Sequence, residues 1–207
     1  MKQLLVAAVL LACGQDAKEE GFISLFNGKD LTGWKANENE TTFKVEDGKI
    51  IANGDRCHLF YVGDVKAHNF KNFELRAQVL CKPSSNSGIY FHTEFQEKGW
   101  PAKGFECQVC SATYGDKRKT GSLYAVKDMA ESPAEDDKWF DYTIIVQGKK
   151  VTTKINDKVA IEWEQPEGFV HKEFKGRAIS SGTFCIQGHD PKSRVEYKNI
   201  RVKPLED

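Results

Sequence analysis

Glu106 and Gln108 have the same parity in Gly104 to Cys110, where Phe105, Cys107 and Val109 supply the apolar positions. On a strand, alternate residues share a face, so both polar side chains would project together away from the core. Three more stretches divide the same way. In Gly88 to Thr93, Ile89 and Phe91 leave Tyr90 and His92 on the second face. In Ser122 to Val126, Leu123 and Ala125 leave Ser122 and Tyr124. Near the end, Phe184 and Ile186 leave Gln187 and His189, with Cys185. A carboxylate and imidazoles can move protons, aromatic rings can cover the apolar side of a pyranose, and amides offer paired donors and acceptors to vicinal hydroxyls. The alternative is a solvated sheet face whose polar residues do no chemistry.

The elements that must position these residues are strands. From Gly21 onward the informative patterns have period 2 and none has the 3.6-residue period of a long amphipathic helix. Phe73 to Val79 alternates strictly. Tyr142 to Gln147 and Val151 to Ile155 form a hairpin about Gly148-Lys149, and Asn156-Asp157 turns into Val159 to Trp163. Arg194 to Pro204 predicts a last strand with one change of phase near Asn199. Further short strands are expected at 43–46, 49–53 and 58–62. Many short strands between Gly, Asn, Asp and Pro clusters predict an all-β sandwich, one domain spanning residues 21–207.

Composition limits the partners. The 207 residues carry 30 Lys+Arg against 30 Asp+Glu, and no basic stretch is interleaved with aromatics, so nucleic acid is not an expected partner. The apolar run Leu4 to Ala12 is too short to span a bilayer and has the length of a signal-peptide core. With the following Cys13-Gly14 it resembles a bacterial lipoprotein signal. That reading makes 1–12 the signal, Cys13 the lipid-bearing residue and 13–20 a tether, and predicts a protein held at the membrane of the bacterial cell envelope. An ordinary secretory signal and an N-terminal strand are the alternatives. Six cysteines then become five in the fold, an odd number that argues against a complete disulfide framework. Cys107 and Cys110, three apart, fall on opposite faces, so the bland reading is small buried hydrophobes.

Six segments, in order, carry a family resemblance. They are Ser24 to Trp34 (SLFNGKDLTGW), Asn86 to Phe91 (NSGIYF), Gly104 to Val109 (GFECQV), Thr120 to Tyr124 (TGSLY), Ile186 to His189 (IQGH) and Lys198 to Leu205 (KNIRVKPL). Together they resemble the 3-keto-disaccharide hydrolase domain family, over about Phe22 to Leu205. The resemblance implies a concanavalin A-like jelly-roll β-sandwich of two antiparallel sheets and an exported protein acting on carbohydrate. This chain departs from the family pattern at His92, where Arg is common, at Lys138-Trp139-Phe140, and at Asp190, where Gly usually follows His189.

The implied substrate is a glycoside oxidised at carbon 3. The ketone acidifies the carbon 2 proton, a base removes it, the carbon 1 substituent leaves by elimination, and water adds. Glu106, His189 and His92 are the candidate catalytic groups, and Tyr90, Gln108, Tyr124 and Gln187 the candidate substrate-binding groups. A divalent ion chelated by the keto oxygen and a neighbouring hydroxyl would also serve the enolate. A conventional glycosidase needs two carboxylates; Glu106 is one, with Glu94 or Asp190 as the second. The competing expectation from another class is a carbohydrate-binding lipoprotein without catalysis, stacking sugars on Tyr90, Tyr124 and Trp100.

Overall fold

The computed structural model describes residues 20–207, so the expected signal, tether and lipid-bearing Cys13 lie outside the described residues apart from Glu20. In chain order the strands are β1 (Ile23–Ser24), β2 (Trp34–Ala36), β3 (Phe43–Glu46), β4 (Lys49–Ala52), β5 (Cys57–Tyr61), β6 (Phe73–Cys81) and β7 (Asn86–Thr93). There follow β8 (Phe105–Cys110), β9 (Trp139–Gln147), β10 (Lys150–Ile155), β11 (Lys158–Glu164), β12 (Thr183–Gly188) and β13 (Val195–Pro204). Eight form one sheet, in the order β11-β10-β9-β6-β13-β4-β3 with β1 beside β13, and five form the other, in the order β2-β5-β12-β7-β8. Every pairing is antiparallel. The expected all-β, two-sheet sandwich is the fold.

Local chemistry accounts for much of the register. Asp47-Gly48 and Asn156-Asp157 have positive φ at both central residues, which matches the twist of two-residue hairpins closing Glu46 onto Lys49 and Ile155 onto Lys158. On β13 the partner of Lys198 is Gln78 and that of Arg201 is Arg76, so three steps oppose two. Asn199, at φ 51°, is the extra residue. The bulge keeps Val195, Tyr197, Ile200 and Val202 all inside, as the change of phase predicts. Between the sheets Phe70, Phe73, Phe91 and Phe184 pack ring on ring at 4.6–5.8 Å. Each fully buried Phe contributes about 1.5–3 kcal/mol, so this cluster helps hold the five-stranded sheet against the eight-stranded one. Ser87 joins the sheets by a polar route: its Oγ lies 2.6 Å from the Tyr197 hydroxyl and donates to the Gln187 carbonyl at 2.5 Å. The five cysteines at 57, 81, 107, 110 and 185 are all free and buried.

Two expectations are corrected. Ser122 to Val126 is not a strand: Leu123 makes isolated bridges to Cys107 and Lys127, and a turn with Ala125 at φ 60° carries Tyr124. The backbone N–H of Tyr124 donates to the Glu106 carbonyl at 2.9 Å, so the turn is moored to β8. His92 does not share a face with Tyr90. It has φ 54°, and between Tyr90 and Thr93 three steps of β7 oppose two of β12, so a bulge turns its side chain aside. The ring packs on Phe91 and Phe73, Nε2 donates to the Lys71 carbonyl at 2.8 Å, and Nδ1 accepts from the Ser180 N–H at 3.2 Å. Burial draws its pKa down to about 4, so it stays neutral, which this pattern of one donor and one acceptor requires. Its work is to fix the loop before β12.

Candidate functional site

The strand register sets the candidate groups in rows on the outer face of the five-stranded sheet. One row runs Phe60, Cys185, Tyr90, Glu106, each opposite the next across β5, β12, β7 and β8. In the neighbouring row His58 pairs with Gln187 and Gly88 with Gln108. Gly88, between the two glutamines, leaves the middle of the floor without a side chain. The segment Asn86-Ser87-Gly88 therefore has three separate duties: Asn86 lines the cleft, Ser87 turns inward to Tyr197, and Gly88 makes room.

Glu106 is the charged centre of a cleft of about 230 Å³, and only 5% of it is exposed. Oε1 accepts from Gln187 Nε2 at 3.0 Å, and the same nitrogen donates to the Tyr90 hydroxyl at 3.0 Å. Oε2 lies 3.7 Å from Nη2 of Arg177. Burial pushes the Glu106 carboxyl above the ordinary carboxylate range, although hydrogen bonds from Tyr90 and Gln187 and the charge of Arg177 pull it partly back. Arg177 donates to the Tyr124 carbonyl and lies 3.9 Å over the Phe174 ring. Its loop can come this close because Gly176 has no Cβ, which would stand 1.9 Å from the Ala102 carbonyl oxygen.

His189 lies at the edge of the cleft and is held by its neighbour. Nδ1 is 2.8 Å from Asp190 Oδ2, and Asp190 also accepts from Ser193 Oγ and from the N–H groups of Lys192 and Ser193. Burial would raise Asp190, but the hydrogen bonds from Ser193 and His189 outweigh it and keep the carboxyl below its usual range. An ionised Asp190 accepts the hydrogen bond from Nδ1–H, which fixes the His189 ring and leaves Nε2 as the nitrogen that can exchange a proton with a ligand. The departure from Gly at 190 thus gives His189 an orienting partner. Trp100 stands beside it, ring centroids 5.5 Å apart, while Tyr124 forms another wall under Arg118.

Six of the seven candidate catalytic and binding residues, Glu106, His189, Tyr90, Gln108, Tyr124 and Gln187, line this one cleft, and His92 does not. Glu94 forms a surface pair with Lys103 instead. Sequence reasoning did not find Arg177, which lies in an irregular segment, or Asp116, a second carboxylate in the cleft, held at its rim by the Arg118 N–H at 2.9 Å. Among the described residues, Gln108 Oε1 and Nε2, Gln187 Oε1 and Asn86 Oδ1 are buried with no hydrogen-bond partner. Buried polar groups are ordinarily paired, so unpaired amides gathered on one cleft floor point to a polar ligand.

Residues 21–203 match the 3-keto-alpha-glucoside-1,2-lyase-like domain. The chain belongs to that family. A 3-keto-disaccharide hydrolase of Bacteroides thetaiotaomicron is 34% identical over 79 residues, a stretch covering 35% of this chain and 27% of that relative. The chain thus matches little more than a quarter of the curated relative's length. Among solved structures, a candidate glycosyl hydrolase from Parabacteroides distasonis superposes with a TM-score of 0.76 at 26% identity, covering 90% of this chain and 95% of the other. The carbohydrate-binding module CBM66 from Bacillus subtilis, at 12% identity and TM-score 0.58, covers 83% and 95% and shares the fold. The family match and the Parabacteroides distasonis structure group this member of the 3-keto-alpha-glucoside-1,2-lyase-like family with glycosyl-hydrolase-like proteins, and CBM66 shares only the jelly-roll sandwich.

Proposed function

We propose that the domain cleaves glycosides carrying a ketone at carbon 3, by elimination followed by hydration. The observation that carries this reading is a buried carboxylate of raised pKa facing a guanidinium on a floor of unpartnered amides. In the first step the Glu106 carboxylate takes the carbon 2 proton, and the enolate oxygen formed at carbon 3 is stabilised by the Arg177 guanidinium. The enolate then collapses, the bond from carbon 1 to the leaving oxygen breaks, and that oxygen takes a proton from the His189 imidazolium. Water adds at carbon 1 and gives a proton to His189, while the Glu106 carboxylic acid, its proton exchanged with solvent as the leaving alcohol departs, protonates carbon 2. Both residues end as they began, and the net reaction is hydrolysis. Gln108, Gln187 and Asn86 would hold the sugar hydroxyls.

No step runs through a metal ion. Among the described residues no three His, Cys, Asp or Glu side chains gather as a donor set, and Glu106 already has the Arg177 cation beside it. Asp116 keeps a second reading alive, direct displacement between two carboxylates. Hydrolysis of a 3-keto-glucoside in deuterium oxide separates the two. Elimination and hydration leave deuterium at carbon 2 of the product, and the unoxidised parent glucoside is inert. Product without deuterium, or equal cleavage of the parent, would overturn the proposal.

A gentler perturbation tests the position of the base. A Cβ at residue 88 would stand 2.7 Å from Glu106 Oε1 and 3.0 Å from Cγ, so Gly88→Ala must displace the carboxylate. A misplacement of this size is expected to lower kcat/KM about 100-fold. Far-UV circular dichroism should stay close to the parent's, because the strand pairing at 88 is by backbone.

A further inference from the structure

The row of unpartnered polar groups does not stop at the open cleft. Its last member is His58, opposite Gln187 on β5, with both Nδ1 and Nε2 buried and without a hydrogen-bond partner among the described residues. The residue is 0% exposed. Its cover is aromatic: the Trp100 indole stands at 5.3 Å and 75° to its ring, and Tyr90 at 5.5 Å and 89°. A solitary unpaired imidazole in an apolar setting is costly, and nothing in the packing of Phe60 or Tyr90 requires one there. Trp100 is itself 46% exposed, and it touches His58 on one side and His189 on the other. Its backbone is fixed, because Gln96 Nε2 donates to its carbonyl at 2.9 Å and Gln96 Oε1 accepts from the Ala102 N–H at 2.8 Å. The half-exposed indole thus covers His58 from a loop whose backbone is held in place.

We infer that His58 is a second sugar-binding position, uncovered when the Trp100 indole swings aside to stack on the leaving-group sugar of a disaccharide substrate. This rests on the reading of the cleft as a 3-keto-glycoside site. Burial draws the His58 pKa down to about 3, so the ring is neutral and offers one donor and one acceptor. Hydroxyls of a second sugar satisfy both, whereas an aryl leaving group satisfies neither. Selectivity follows from what an unsuitable ligand leaves unpaired.

His58→Phe removes the two nitrogens and keeps an aromatic ring under Trp100, so the variant should fold with an unchanged or higher melting temperature. The ratio of kcat/KM for a 3-keto-disaccharide to that for a phenyl 3-keto-glucoside is expected to fall at least tenfold. An unchanged ratio, with both substrates turned over as by the parent, would make His58 a core residue and overturn the inference while leaving the proposed reaction intact. If the parent turns over neither substrate, calorimetry with the disaccharide and the corresponding monosaccharide decides. Tighter disaccharide binding that His58→Phe abolishes, with a change in tryptophan fluorescence that Trp100→Phe removes, supports the inference although the reaction has failed. Equal binding of the two sugars overturns it.

Discussion

Glu106→Gln is expected to lower kcat on a 3-keto-glucoside about 1,000-fold and to leave substrate binding within a few-fold of the parent, because a positioned general base contributes about 10²–10⁴ to a rate. The substitution keeps the side chain's length and an oxygen that can accept from Gln187, but it removes the group that takes the carbon 2 proton. It also leaves Arg177, 8% exposed, without its anion. An orphaned buried donor costs about 1–3 kcal/mol, so some loss of melting temperature is expected. Loss of fold is therefore separated from loss of chemistry by calorimetric titration of the substrate into folded variant. Binding with no turnover and no exchange of the carbon 2 hydrogen for solvent deuterium is the expected result. Full exchange in the variant would mean that another group is the base, and His189 would be the next to change.

The fold was legible because sheet chemistry is local. Alternation in Phe73 to Val79, the paired turn residues at 156 and 157, and the phase change at Asn199 each reflect a constraint between neighbours in the chain. Most of the site was legible where its residues lie on uninterrupted strands or, like His189, directly continue one. Glu106, Gln108, Tyr90 and Gln187 follow from parity, and they meet because β8, β7 and β12 are adjacent. His92 breaks the rule through a bulge: one extra residue reverses the face, and nothing in Tyr-Phe-His-Thr announces it. Tyr124 was assigned to the cleft side by an alternation that a turn only imitates, and it arrives there for a different reason. Arg177 lies in 165–182, where neither period applies. Its place depends on a contact between Gly176 and Ala102, far apart in the chain, that no local pattern encodes. His58 sat in a recognised strand, but its lack of partners is a property of the packed molecule alone.

Arg177 has the second large expected effect, and it should appear in the pH profile as well as in the rate. Burial raises the Glu106 pKa, and the Arg177 charge is among the forces that lower it. Since the base must be ionised, kcat/KM in the parent falls on the acid side at a pH above the usual carboxylate value of about 4.3. Arg177→Met removes the opposing charge, so the Glu106 pKa climbs further and the acid limb moves up by about one unit or more. Above that limb the carboxylate is restored but the enolate still lacks its cation, and a loss of about 10²–10³ in kcat should persist. Stability shifts in the same sense. A carboxyl whose folded pKa is raised favours the folded state fully below its unfolded pKa, and that contribution is lost as pH rises through the folded pKa. The melting temperature of Arg177→Met should therefore drop relative to the parent as pH rises, since an unpaired buried carboxylate must then form. Arg177→Lys keeps the charge without the planar fork. It should return the acid limb toward the parent's position while kcat remains low, a split that a merely structural arginine would not produce. An acid limb that stays in place in Arg177→Met would remove Glu106 as the group whose ionisation limits the reaction.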